Sequence, residues 1–364
     1  MINRNRYFYV YVFIFWMLAA QQAMGQSNMA INSKVFNPDI SLNALGKYAY
    51  DTKGSNGPTD EDRNGLALQE VELQVMADVD SYFRAVALIG IEQEEGTSEY
   101  GIGPEEVYAE TISIPKFTVR VGKFRTAFGR HNMLHRHAFP FIDAPFINQD
   151  LLGEEGLNEF GLSGAWLLPT NWYSEVVVQG VTSRNETLFN SPNSKDVAAI
   201  VFFKNLWDLS DATTLEWNWY GTRGDNQYAD VTYAYGSDFI VRWRPMSGGG
   251  SGGKYKSLIW QSQFIDGKMY GNPNGQRLGG ITSWIDYQFA QRWSVQVRED
   301  YEGLTSSASY GTKHKQSALL AFHPSEFSGI RMQYDTTSEP SLPRHHTVTL
   351  QFTFSIGAHP AHAY

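Results

Sequence analysis

The sequence contains no cysteine among its 364 residues, so a disulfide framework and a thiolate metal site are both excluded. Basic residues are also in deficit, because 29 lysines and arginines stand against 38 aspartates and glutamates. A formal net charge of −9 does not provide the basic surface of a nucleic-acid-binding protein. These absences exclude disulfide-stabilised scaffolds and argue against nucleic acid as a partner.

Long apolar runs are missing outside the N-terminus. Two arginines precede an apolar run at residues 7–20, and Ala23 and Gly25 form a small-x-small cleavage pattern. A run of about 14 residues is short for a bilayer-spanning anchor, so residues 1–25 are predicted to be a signal peptide. No later segment has 18 consecutive apolar residues, and no transmembrane helix is predicted.

Aromatic residues, by contrast, are abundant. They make up 14% of the chain, although the mean hydropathy is only −0.36. This combination is expected when strands alternate apolar and polar faces. From residue 39 onward the alternation has a period of two, as where Leu73 and Val75 alternate with Glu72 and Gln74. The side chains predicted to face lipid include Leu73, Val75, Trp217, Val295 and Leu350.

The alternation predicts sixteen strands between residues 39 and 356, with residues 228–236 assigned to a connection. Connections after even-numbered strands are mostly short, apart from a glycine-rich stretch at 245–254, and those after odd-numbered strands are longer and polar. A soluble β-sandwich also alternates, but it needs neither an even strand count nor two unequal rims. We therefore predict an all-β fold, a transmembrane antiparallel β-barrel of about 16 strands in the bacterial outer membrane. The predicted domains are a signal peptide at 1–25, a periplasmic segment at 26–38, the barrel at 39–356 and a C-terminal tail at 357–364.

One connection, at residues 126–157, is far longer than the others. Loops of this length in compact folds usually have a function. If both termini are periplasmic, this is the third external loop, and we predict that it folds into the lumen and forms a constriction; the alternative is a loop lying over the mouth. Its apolar residues Phe139, Phe141, Phe146 and Ile147 are predicted to pack against the inner wall. The predicted constriction residues are Arg130, His131, His135, Arg136, His137, Asp143, Asp150, Glu154 and Glu155.

Strand parity also predicts which charges line the lumen. Both signs are present, so no dense cationic or anionic lining is expected, and pore-lining charge sets ion preference. The predicted lumen residues are Glu70, Glu72, Glu110, Arg120, Arg242, Arg298 and Arg331.

Histidines are the weak candidates for a metal site, because imidazole suits zinc, copper or nickel. Three of them, His131, His135 and His137, lie in the long connection, and His359 and His362 lie in the tail. Ordinary loop polarity and a plain periplasmic extension are the respective alternatives. The glycine tract at 249–253 matches G-x-S-x-G but lacks the strand-to-helix context of a nucleophile elbow, and neither an enzyme nor a cofactor is predicted.

The stretch "VRVGKFRTAFGRHN" resembles the strand-five segment of the phosphate-selective porin group, the O/P type. Stretches such as "HAFPFIDAPF" and "LLGEEGL" resemble an uncharacterised porin-like outer-membrane group, some of whose members are labelled zinc-regulated or receptor-like. The resemblance implies a 16-stranded barrel in outer-membrane lipid, with a homotrimer as one assembly. The predicted function is a porin for passive or weakly selective passage of small hydrophilic solutes or ions. A receptor or metal-binding barrel, and a structural barrel without an open pore, are the alternatives.

Overall fold

The structure is a computed structural model that describes residues 38–54, 64–93, 99–245, 255–272, 277–304, 311–340 and 342–357. The predicted signal peptide lies outside the described residues, as do nearly all of the predicted periplasmic segment and of the tail, with His359 and His362. Within the described part of the chain, no helix combines the length and apolar character needed to cross a membrane.

Sixteen antiparallel strands form one closed barrel, in which each strand pairs with its neighbours in sequence and the first pairs with the last. The predicted fold class is confirmed. The strands are β1 (Asp39–Asp51), β2 (Gly65–Asp78), β3 (Phe83–Gln93), β4 (Tyr100–Thr111), β5 (Phe117–Arg125), β6 (Asn158–Leu167), β7 (Tyr173–Thr182), β8 (Val197–Ser210), β9 (Thr213–Asp225), β10 (Val231–Trp243), β11 (Ser257–Met269), β12 (Arg277–Ala290), β13 (Trp293–Glu302), β14 (Lys313–Ser325), β15 (Ser328–Ser338) and β16 (His345–Gly357).

The barrel is inverted relative to a soluble protein, with polar side chains inside and apolar side chains outside. On β9, Glu216 and Asn218 are fully buried, whereas Trp217 between them is 41% exposed. On β13, Gln296 is buried and Val295 is exposed in the same way. A closed sheet has no unpaired edge, and an apolar outer surface is stable only against lipid. The protein is therefore a membrane-spanning barrel of the outer-membrane type.

The prediction that residues 228–236 form a connection is correct for 228–230 and wrong for 231–236, which form the first part of β10. Here the outward residues are Tyr233 and Tyr235, while the inward residues are small. Small inward residues are required because the interior is already occupied: a side chain at Gly236 would come within 2.5 Å of the Tyr220 ring. The inward-facing positions of this stretch therefore lack the large polar residues that mark the other strands in the sequence.

Two β-bulges shift the alternation on one wall of the barrel. In β2, Leu45 pairs with Glu70 and Gly46 with Leu68, so Gln69 is an extra residue. In β4, Leu88 pairs with Glu106 and Ile89 with Pro104, so Glu105 is an extra residue. A bulge turns two consecutive side chains to one face. As a result Gln69 with Glu70, and Glu105 with Glu106, are buried as adjacent pairs.

Candidate functional site

The connection between β5 and β6, residues 126–157, contains two short 3₁₀ helices (His131–Met133 and Arg136–Ala138) and the helix α1 (Phe146–Leu152). We call it the β5–β6 segment. Its base is closed by Asn132, whose side-chain amide donates to Thr126 O at 2.9 Å and to Leu157 O at 3.1 Å. Because these bonds join the two ends, the whole segment leaves and returns at one point of the barrel rim.

The part of the segment that contains Asp143 and Asp150, which we call its acidic half, contacts β13, β14 and β15. Arg298 Nη2 donates to Asp143 Oδ2 at 2.8 Å, Gln333 Nε2 donates to Asp143 Oδ1 at 2.6 Å, and Lys315 also contacts this carboxylate. Arg331 Nη1 donates to the carbonyl of Phe139 at 2.7 Å. These partners are inward-facing residues of the three strands, and they hold the segment against that wall.

The basic half of the segment contacts β9 and β10 and, at a different place around the barrel, β4. Arg130 N donates to Asp238 Oδ2 of β10 at 2.7 Å, and the Arg130 guanidinium lies 3.4 Å from Glu216 Oε1 of β9. His135 Nε2 lies 3.0 Å from Glu106 Oε2 of β4. The segment thus contacts inward-facing side chains on several sides of the closed sheet.

The segment has most of its charged residues paired with charges of the barrel wall. Its basic residues pair with acids of the wall, and its acidic residues pair with bases of the wall, because buried charges need close partners of opposite sign. Further pairs of this kind are Arg136 with Glu70 at 3.9 Å, His137 with Glu72, and Asp150 with Lys313. Of the other three predicted constriction residues, Glu154 and Glu155 are exposed near the end of the segment, and His131 is buried.

Two histidines of the segment, His131 and His135, have pKa values shifted in opposite directions. Burial lowers the pKa of His131 to about 3, helped by the charges of Arg298 and Arg125. Burial alone would also lower the pKa of His135, but hydrogen bonds to Glu105 and Glu106 raise it to about 9. Between pH 5 and 8, therefore, His131 stays neutral and His135 stays protonated in the absence of an ion.

Apolar residues of the segment pack inside the barrel together with a second connection. The predicted wall contacts Phe141 and Ile147 are buried, and Phe139 and Phe146 are half-buried. Phe128, Leu151 and Leu152 form one core with residues of β7–β12. The connection at 183–196 adds Leu188 and Phe189 to this core. This core fills the interior near β7–β12.

The contact of the 183–196 connection with the interior was not predicted from the sequence. The amide of Asn185 donates to Leu152 O at 2.8 Å, and Thr187 Oγ1 donates to Leu151 O at 3.1 Å, so this connection caps the end of α1. The available signal was the apolar pair Leu188-Phe189 in an otherwise polar stretch. A solvated loop has no need of such a pair.

A cavity of about 680 Å³ remains between the segment and the β2–β7 wall. Arg120 and Glu110 line it and form a pair with a 2.9 Å contact, and Glu175 and Met133 contribute further lining. Other lining residues include Gln74, Glu106, Thr118, Arg125, His135, His137 and Gln179. The lining is slightly more polar than apolar, since Val86, Leu88, Ile112 and Val177 also belong to it; it bears both signs of charge, and the cavity lies beside the segment.

The predicted lumen residues differ in their access to this cavity. Arg120 and Glu110 line it, whereas Glu70 and Glu72 are buried beneath the basic half of the segment. The other three lie elsewhere: Arg242 Nη1 donates to Glu216 Oε2 at 2.9 Å, and Arg298 and Arg331 are buried against the acidic half. A residue that faces the interior of the barrel therefore does not necessarily line the cavity.

Three side chains form a group with the composition of a metal site: Glu72, Glu105 and His135 are buried, and one ligand atom of each lies within 4.8 Å of the others. Of the histidines predicted for metal, His135 belongs to this group, and His137 contacts Glu72 at its edge. His131 does not belong to it, since its ring packs on Phe139 with centroids 4.3 Å apart. The inward orientation of Glu105 was not predicted from the sequence, because the β4 bulge turns it to the same face as Glu106.

No family model matches the chain. The chain is 28% identical over 395 residues to an uncharacterised protein of Aquifex aeolicus, covering 92% of this chain and 81% of that protein. Among solved structures, an anion-selective porin from Comamonas acidovorans superposes with a TM-score of 0.58 at 9% identity, covering 88% of this chain and all of that one. The outer-membrane channel DcaP of Acinetobacter baumannii superposes with a TM-score of 0.57 at 9% identity, covering 88% and 98% of the two chains. In fold, the chain is similar to porins.

Proposed function

We propose that the protein is an outer-membrane channel of the porin type, through which small hydrophilic solutes or ions pass without an energy source. The observation that carries this proposal is the polar cavity of about 680 Å³ beside the β5–β6 segment. Sixteen strands enclose a space wider than wall side chains alone can fill. The porin-like fold supports the same function. Assembly as a homotrimer, which porin resemblance implies, remains a prediction.

We further propose that the β5–β6 segment is the constriction. It contacts the inward faces of β2, β4, β9, β10 and β13–β15, and it leaves open space mainly toward β2–β7. Passage would then follow the β2–β7 wall, past Arg120, Glu110 and Glu175. Because both signs of charge line this path, selectivity among ions would be weak, and phosphate selectivity is not proposed.

The absence of cysteine makes a direct test available, since any introduced thiol is unique. Thr118 lines the cavity, and Val121, three residues away on β5, is 50% exposed on the outer surface. In planar bilayers we expect stepwise conductance for the wild type. A cationic thiol reagent should reduce the conductance of Thr118→Cys and leave Val121→Cys unchanged.

The outcomes separate the candidate functions. No conductance steps from folded protein would reject the channel and favour a closed structural barrel. Conductance that is insensitive to modification of Thr118→Cys would keep a channel but reject the β2–β7 path. A metal-binding barrel remains a second candidate, supported by the buried group of Glu72, Glu105 and His135.

A further inference from the structure

We propose that Glu72, Glu105 and His135 bind one divalent transition-metal ion, such as Zn²⁺, which cross-links the β5–β6 segment to β2 and β4. The three residues come from three separate parts of the chain and meet inside the barrel. The inference concerns ion binding alone, so it does not depend on channel activity.

The distances suit a small ion with nitrogen and oxygen ligands. His135 Nδ1 lies 3.2 Å from Glu105 Oε2 and 3.5 Å from Glu72 Oε1. Ligand atoms bound at zinc distances around a tetrahedral ion stand about 3.4 Å from each other. Imidazole together with carboxylate is a donor set that suits Zn²⁺ and neighbouring transition ions, whereas Mg²⁺ and Ca²⁺ prefer oxygen alone.

The surroundings of His135 orient it as a ligand. Its Nε2 faces Glu106 Oε2 at 3.0 Å, which is the carboxylate contact typically seen behind a metal-binding histidine. With a proton on Nε2, Nδ1 presents its lone pair toward Glu72 and Glu105. Arg125 Nε lies 3.4 Å from the same Nδ1, so this guanidinium and an ion would compete for it.

The backbone of the wall is shaped around the Glu105 carboxylate. The β4 bulge turns Glu105 inward beside Glu106, and Gly90 of β3 leaves the space that the carboxylate occupies. A Cβ at position 90 would lie 2.2 Å from Glu105 Oε1. This carboxylate position therefore depends on two separate local features, a bulge and a glycine.

The carboxylates also have unused binding capacity. Among the described residues, Glu105 Oε1 and both carboxylate oxygens of Glu72 are buried without a well-directed hydrogen bond, although His137 contacts Glu72. Buried anionic oxygens in this state are costly. Arg125 Nη2 lies 3.8 Å from Glu105 Oε2 and offsets part of the negative charge of Glu72, Glu105 and Glu106, and a divalent cation would offset it further.

The test uses the full barrel, folded in detergent and stripped with a chelator. Co²⁺ serves as the probe, because its visible absorption reports coordination by nitrogen and oxygen. We expect one Co²⁺ per chain in the wild type, displaced by Zn²⁺, and at least a ten-fold loss of affinity in His135→Gln and in Glu105→Gln, since loss of even a supporting partner typically costs that much. The matched controls, His131→Gln and Glu110→Gln, should bind like the wild type.

A second variant keeps the test decisive if a ligand substitution prevents folding. Gly90→Ala retains every ligand but displaces the Glu105 carboxylate, and it should weaken Co²⁺ binding. Zn²⁺ should also raise the thermal unfolding midpoint of the wild type more than that of Gly90→Ala, because ligands stabilise the state that binds them. Wild-type protein without Co²⁺ absorption, ligand variants that bind like the wild type, or binding of Ca²⁺ alone would each overturn the proposal.

Discussion

Asp143 is the residue that fastens the β5–β6 segment most firmly to the barrel wall. Its carboxylate receives hydrogen bonds from Arg298 and Gln333 and contacts Lys315, and the Arg298 side chain is only 1% exposed. The Phe141 ring lies 4.5 Å below the Arg298 guanidinium and completes this anchor. Removing the negative charge would leave Arg298 and Lys315 to share Asp300, which lies 3.1 Å from Arg298 Nε and 4.0 Å from Lys315 Nζ.

Asp143→Asn should therefore destabilise the segment. Hydrogen bonds to charged groups are worth roughly 1.5–3 kcal/mol each, so we expect a loss of that order in the free energy of unfolding. Chemical unfolding measures the loss, and faster trypsin cleavage after Arg130 or Arg136 would locate it in the segment. Asp150→Asn is the control, since its partner Lys313 has a side chain 25% exposed and such pairs contribute less. A larger effect for Asp150→Asn would contradict this account of the anchor.

Residue positions were easier to predict from the sequence than residue contacts. Strand parity correctly turns Glu72, Arg298 and Arg331 inward, because a period of two needs only neighbours in the sequence. It cannot show that Arg298 binds Asp143, since the two are 155 residues apart. It also misses Glu105, because a bulge is set by how a strand pairs with its neighbour and not by its own pattern.

At the scale of the strand, alternation is the strongest signal in this chain. The alternation predicts strands that match the observed ones closely except at two places: it predicts that the fourth strand begins at residue 105, whereas β4 begins at Tyr100, and it misses the first part of β10. Both errors occur where glycine, proline or small residues stand in place of the polar residues that alternate with apolar ones in the other strands. The inward-folding connection at 183–196 was missed for a related reason, since its apolar pair is too short to show a period.

The register of β2 gives a test of the two faces with adjacent residues. Leu73 faces outward and pairs with Leu42 and Ile89, whereas Gln74 lines the cavity. Leu73→Lys should place a charge in the lipid and cost about 2–4 kcal/mol near mid-membrane. Gln74→Lys should be tolerated because the cavity is polar. The folded fraction, measured by the gel mobility of unheated samples, should fall for Leu73→Lys only; equal folding of both variants would refute the register.

At the scale of the whole molecule, the interior is divided. Apolar residues of the segment and of the 183–196 connection fill the space near β7–β12, and the charged anchors fill the space near β13–β15. A cavity of about 680 Å³ lies toward β2–β7. Ion preference should therefore depend on residues that line the cavity, such as Arg120, and not on every inward-facing charge.

Arg120→Ala should shift the reversal potential toward cation preference, and Glu175→Ala should shift it toward anion preference, since both residues line the cavity. Both shifts should shrink in 1 M salt, where the Debye length is about 3 Å. Arg242→Ala is the control, because Arg242 is held by Glu216 away from the cavity lining. Bilayer recordings under a salt gradient measure the three values. An equal shift for Arg242→Ala would show that the path is not confined to the β2–β7 wall.

Removal of the β5–β6 segment tests its role in conduction most directly. Replacing residues 133–150 with a short glycine-serine linker keeps Asn132 at the base and Leu151 and Leu152 in the apolar core. Single-channel conductance should rise several-fold, because the lumen of a 16-stranded barrel is no longer filled. The ion preference should also change, because Arg298, Lys315 and Arg331 lose their partners in the segment, while Glu70, Glu72 and Glu106 lose Arg136, His137 and His135. If conductance and reversal potential both stay at wild-type values while the barrel folds, the segment does not constrict the path, and the channel must be narrowed by other residues.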